Sequence, residues 1–121
     1  MDYKKLKKSF HFALMGIHHA IHSDQNVVIH LIVSCIVIIA GILLGLSSFE
    51  MAILGLTMII VITTEMVNTA IEKVIDLIIQ EHHINAKIAK DVASGMVLIS
   101  AVGAFVVGIL IFFPHVIKLF R

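Results

Sequence analysis

The chain has 121 residues, 60% of them apolar and 14% charged, with a single proline, a single cysteine and a formal net charge of +1. A typical soluble domain is nearer half apolar with about a quarter of its residues charged, so a water-soluble globular fold is excluded and the membrane is the solvent to reason about. The only basic tract is Lys4, Lys5, Lys7 and Lys8. Beside a membrane segment such a cluster meets anionic headgroups, and no nucleic-acid partner is expected.

The predicted elements, in chain order, form an all-α membrane protein in one domain covering 1–121. Residues 3–22 are helix-compatible, with Leu6, Phe10, Ala13, Ile17 and Ala20 or Ile21 on one side at spacings of three and four. This reads as an amphipathic helix on the membrane surface. Residues 27–46 are apolar except for His30 and Ser34, and have the length needed to cross the hydrocarbon. The run is longer than a signal-peptide core and is expected to be retained. It contains Cys35, a buried small hydrophobe that can form no intramolecular disulfide. A short turn without Lys or Arg leads to a second helix over 50–79. A polar loop follows over 80–90, then a third span over 91–113 that stops at Pro114. The lysines before the first span and at Lys73, Lys87 and Lys90 put the N-terminus and the second loop in the cytoplasm, with Lys118 and Arg121 counting against.

The second span carries the chemistry. From Met51 to Ile79 it would be about 43 Å long against ~30 Å of hydrocarbon. Glu65 then lies at the inner boundary, and Glu72 and Asp76 project about 10 and 16 Å further. At 100° per residue Glu72 and Asp76 fall within roughly 20° of Glu65, one on either side, with Asn68 about 60° away. A solvated face with salt bridges accounts for Glu72, Lys73 and Asp76. It accounts badly for Glu65, because a carboxylate at the apolar boundary is costly and marks a functional site by default. Lys87, Lys90, Asp91 and Ser94 share one side of the entry to the third span, either as headgroup anchors or as part of the same site. Carboxylates for Mg²⁺, lysine for phosphate and a carboxylate base for a hydroxyl are the parts phosphoryl transfer uses. No phosphate-binding G-x-x-x-x-G-K-[ST] or soluble-kinase catalytic loop is present. Eight histidines invite a zinc reading, but they have no cysteine partners and no H-E-x-x-H motif. Two other classes stay open. One is a cation-coupled transporter using Glu65 as carrier, and the other is a non-enzymatic membrane assembly subunit.

The stretch Glu65-Met-Val-Asn68-Thr-Ala-Ile-Glu72-x-x-x-Asp76, followed by Ala89-Lys90-Asp91-x-Ala-Ser94-Gly95, resembles the prokaryotic diacylglycerol kinase family. Ser9-Phe10-x-x-Ala13-x-x-Gly16-Ile17 resembles that family's surface helix. Asn26-x-x-Ile29-His30 and His83-Ile-Asn-Ala-Lys87-Ile-Ala-Lys90-Asp91 are similar to the Gram-positive branch, whose members resemble undecaprenol kinase.

The resemblance implies a homotrimeric, multi-pass lipid kinase of the bacterial plasma membrane, using ATP and Mg²⁺ at its cytoplasmic face. It implies Glu65 as the catalytic base on the lipid hydroxyl, with Ser94 near that lipid. Asp24 and Glu72 would hold the metal. Lys5, Lys8, Phe12, Asn68, Asp76, Glu81, His82, His83, Lys90 and Asp91 would surround the nucleotide. Undecaprenol is the expected acceptor and diacylglycerol the alternative. The chain departs from the family at Asp24, usually Glu; at Val28, often basic; at Phe12, often Tyr; and at Lys87, a glycine in the Gram-negative branch.

Overall fold

The computed structural model describes residues 1–121 and is built from helices alone: α1 (Tyr3–Ser23), α2 (Gln25–Leu43), α3 (Ser48–Ile78) and α4 (Ile84–Leu119). The last three are long and apolar enough to cross a membrane. Their side chains are largely exposed within the single chain, the pattern of helices whose apolar faces meet lipid or further protein rather than a private core. Packing runs chiefly between α3 and α4, then between α2 and α3, and less between α1 and α2. The buried positions Ala20, Val27, Leu54, Val61, Ala93 and Ile111 mark these seams.

Side-chain chemistry sets each helix end. Asp24 closes α1 and opens α2, accepting the Asn26 backbone N–H at 2.9 Å. α2 ends in a left-handed turn at Gly45 (φ 71°), where the Leu46 N–H reaches the Gly41 carbonyl and the Gly45 N–H reaches that of Ile42. This paired bonding satisfies carbonyls the helix leaves open, and glycine takes the positive φ without steric cost. Ser47 and Glu50 then cap α3 reciprocally, each side chain taking the other's backbone N–H.

α2 runs over Gln25–Leu43 instead of 27–46, and the two ends of α4 differ more from expectation. The residues expected as a loop over 80–90 form only a short connection, because the His83 ring accepts the Asn85 backbone N–H at 3.1 Å and starts α4 at Ile84. The third span does not stop at Pro114, since α4 continues to Leu119. Proline removes one backbone donor and crowds the preceding turn. Beyond it, the His115 ring binds both carboxylate oxygens of Glu50 at 3.1 and 3.2 Å, tying the extension to the start of α3.

Candidate functional site

The expected stripe on α3 is realised as the wall of one cavity. Glu65, Asn68, Glu72 and Asp76 line it together with Ser23, Asp24 and Asn26 from the α1–α2 junction and Thr69 and Lys73 of α3. The cavity holds about 250 Å³ and has no hydrophobic lining residue.

Glu65 is the most enclosed charge in the molecule, at 2% exposure. A carboxylate without partners would be very costly there. Asn26 supplies one partner, its side-chain amide donating to Oε1 at 3.1 Å. His30 stands on the other side, with Nε2 3.8 Å from Oε2. Asn26 and His30 are one helical turn apart on α2 and so present themselves to the same point on α3.

Three residues further along, Asn68 is 7% exposed. Its amide donates to Glu72 at 3.3 Å, and its Oδ1 is buried without a hydrogen-bond partner. A buried acceptor left bare is uncommon and needs a reason, such as an ion or a polar ligand. Thr69 joins the layers. Its hydroxyl donates to Asp24 Oδ2 and also lies 3.1 Å from the Glu65 carbonyl. Asp24 thus caps α2 with one oxygen and is held from α3 by the other. At the rim, Lys90 binds Asp76 at 2.5 Å and links α4 to the acidic wall. Asp91 pairs with Lys87 at 2.5 Å on the outer side of α4. Both pairs are solvated, so they orient side chains more than they stabilise the fold.

Of the residues expected at the site, the cavity gathers Asp24, Glu65, Asn68, Glu72 and Asp76, with Lys90 at its edge. The others do not reach it in the single chain. Lys5, Lys8 and Phe12 are exposed along α1, and Glu81 and His82 are exposed in the connection. His83 serves as the cap of α4, while Asp91 and Ser94 face outward. Asn26, His30, Thr69 and Lys73 join the site without having been assigned to it from sequence.

A second hollow adjoins the first. α2, α3 and α4 enclose a groove of about 550 Å³, lined mostly by apolar residues from Ile29 and Val33 to Phe105 and Phe112, with His30 among them. His30 therefore belongs to the apolar groove while touching the carboxylate of the polar cavity. The histidines of α1 are not gathered as a set of metal ligands. His22 Nδ1 is 2.8 Å from the His18 carbonyl, and no three His, Cys, Asp or Glu side chains anywhere in the chain converge as a ready-made cage.

Comparison with known proteins gives a consistent result. The family profile described as prokaryotic diacylglycerol kinase matches residues 11–112. The chain is 40% identical over 112 residues to a protein named diacylglycerol kinase from Synechocystis sp., covering 92% of this chain and 64% of that protein. It is 41% identical over 107 residues to a protein named undecaprenol kinase from Bacillus subtilis, covering 88% of this chain and 87% of that protein.

Proposed function

Because the chain belongs to the prokaryotic diacylglycerol kinase family, a family of membrane-bound lipid kinases, we propose that it is an ATP-dependent kinase that phosphorylates undecaprenol at the cytoplasmic face of a bacterial plasma membrane. One observation carries the reading. The only deeply buried carboxylate, Glu65, stands where an all-polar cavity meets an apolar groove. A water-soluble nucleotide and a membrane alcohol need such a junction, because each must reach the same atom from a different solvent.

In this reading Glu65 accepts the proton of the lipid hydroxyl as the hydroxyl oxygen attacks the γ-phosphorus and ADP departs. Asn26 holds one carboxylate oxygen in place and leaves the other, without a hydrogen bond, to take the proton. Lys90 is drawn to the rim by Asp76 and brings positive charge to the phosphates. Asp76 and Asn68 flank the nucleotide. Lys5, Lys8, Phe12, Glu81, His82, His83 and Asp91 are assigned to the same nucleotide, and Ser94 to the lipid. They come to it from the surface helix and connection, or from a neighbouring copy in a homotrimer.

The cavity suits Mg²⁺. The carboxylates of Asp24 and Glu72 and the unpartnered Asn68 Oδ1 are hard oxygen donors lining it from α3 and from the α1–α2 junction. Asp24 and Glu72 would hold the ion, which neutralises charge on the phosphate oxygens when bound. The lack of a third converging carboxylate is compatible with Mg²⁺, which is usually held by one or two carboxylates plus substrate phosphates.

Undecaprenol is preferred to diacylglycerol because Asn26, Ile29, His30 and the segment from His83 to Asp91 follow the branch that resembles undecaprenol kinase. Phosphate transfer from labelled ATP in mixed micelles, with both lipids offered in parallel, tests the proposal. Undecaprenol is expected to be the faster acceptor, and Glu65→Gln to lose at least about a hundredfold in rate, the scale of a general base. Faster transfer to diacylglycerol would replace the acceptor and keep the class. Full activity of Glu65→Gln would remove Glu65 as the base.

A further inference from the structure

The mechanism leaves one proton unaccounted for. Glu65 takes it from the alcohol, and at 2% exposure that carboxyl opens outward only through the polar cavity, which the nucleotide is proposed to fill. One of its oxygens accepts the Asn26 amide, a group that can donate but cannot take up a proton. The other faces His30, whose Nε2 is 3.8 Å away and which stands on α2 one turn from Asn26, where the apolar groove meets the polar cavity. Closing that gap to a hydrogen bond needs roughly 1 Å of side-chain movement. Imidazole is the side chain that both accepts and releases protons near neutral pH.

We propose that His30 is a positioning and proton-relay residue for Glu65, receiving at Nε2 the proton that Glu65 takes from the lipid hydroxyl and passing it to water. The inference rests on the kinase reading above. The step balances. The alcohol's O–H bond breaks as its oxygen bonds to the γ-phosphorus, and the bond from that phosphorus to the bridging oxygen of ADP breaks. The proton goes first to Glu65 and then to His30. Neutral His30 becomes an imidazolium beside a restored carboxylate, and loss of the proton to solvent resets both groups. No oxidant, reductant or further reactant is needed.

The surroundings favour this direction of transfer. From α3, Glu65 faces His30, with Glu72, Asp76 and Lys73 in the cavity behind it. From the α1–α2 junction the cavity receives Asp24, whose oxygens are engaged by the Asn26 N–H and by Thr69. The residues that α4 contributes to the groove carry no titratable group. Glu65 is therefore the one charged side chain against which the His30 ring lies.

The test compares full-length wild type with His30→Gln and His30→Leu in mixed micelles, measuring kcat and the ATP KM across pH. Glutamine keeps a donor for Glu65 but cannot relay a proton, and leucine removes both functions. His30→Gln is expected to lose about tenfold in kcat with its ATP KM within twofold of wild type, and His30→Leu more. The acid limb of log kcat should depend on one proton fewer in His30→Gln than in wild type. Unchanged kcat in His30→Leu, or an acid limb of the same proton order in His30→Gln, would overturn the relay. If the variants do not fold, ring titration of His30 by NMR in wild type and Glu65→Gln decides. Differing curves support the relay and coincident curves overturn it. Glu65→Gln measured alongside separates the two failures. Silent His30 variants with a dead Glu65→Gln defeat only the relay, whereas an active Glu65→Gln defeats the kinase mechanism itself.

Discussion

At the scale of single residues, the site is a problem of reach. Asp24, proposed as a metal ligand, has a shorter reach than glutamate, and the structure shows what supports it: the Thr69 hydroxyl donates to one carboxylate oxygen from the facing helix. A hydrogen bond to a charged group contributes about 1.5–3 kcal/mol. Thr69→Val, which keeps the shape and removes the donor, should therefore raise the Mg²⁺ concentration for half-maximal rate by roughly tenfold or more. Thr69→Ser should stay near wild type. A Mg²⁺ titration of initial rates reads both, and an unchanged dependence in Thr69→Val would take Asp24 out of the metal site. The α3 wall was legible because a period of 3.6 put Glu65, Asn68, Glu72 and Asp76 on one side. Thr69 and His30 were not assigned a role, because that role depends on which helix packs opposite. The spacing of Asn26 and His30, one turn apart at the polar edge of an apolar span, was the available signal. In the sequence alone that spacing marks the Gram-positive branch and does not show which helix it faces.

At the scale of elements, backbone chemistry at the helix ends decides how the spans are joined. Existence and order of the helices were readable from apolar runs and polar interruptions, and α1 and α3 fall close to their expected limits. Both errors came from local rules that tertiary contacts override. His83 caps α4 although histidine is outside the usual capping set. α4 passes through Pro114, with Glu50 and His115 bonded across the end of the bundle. The turn from α2 to α3 yields a test in which one substitution has opposite signs. Gly45 sits at φ 71°, so Gly45→Ala should destabilise by about 1 kcal/mol. Gly16 lies within helical α1 with nothing near the position of an added Cβ, so Gly16→Ala should stabilise by about 0.5–1 kcal/mol. Denaturant titrations in one detergent check both. Equal effects would mean that the α2 terminus relaxes out of its left-handed turn.

At the scale of the whole molecule, the two hollows define a direction. The polar cavity lies toward one end of the bundle, with Asp24 and Lys90 around it, and Glu50 and His115 close the other end. Lys73 lines the cavity, Lys90 stands at its rim with Lys87 one turn before it, and Lys4, Lys5, Lys7 and Lys8 precede the first span in sequence. The connection from Leu44 to Ser47 has no basic residue, and only Lys118 and Arg121 oppose the bias. The positive-inside rule supports the proposed orientation, with the cavity end on the side of the nucleotide. Cys35, the only cysteine, lies within the spanning helix α2, so a single introduced thiol near either end can be read against it. Ser47→Cys should react with a membrane-impermeant maleimide added to intact cells from which the outer barrier has been stripped. Glu81→Cys should react only after the membrane is opened. The reverse pattern would put the carboxylates and the lysine rim on the side without nucleotide, and the kinase reading could not survive it. Labelling of both sites from outside would mean that the chain inserts in two orientations. Half the copies would then be inactive, and activity per molecule should double when the Lys118 and Arg121 charges are removed.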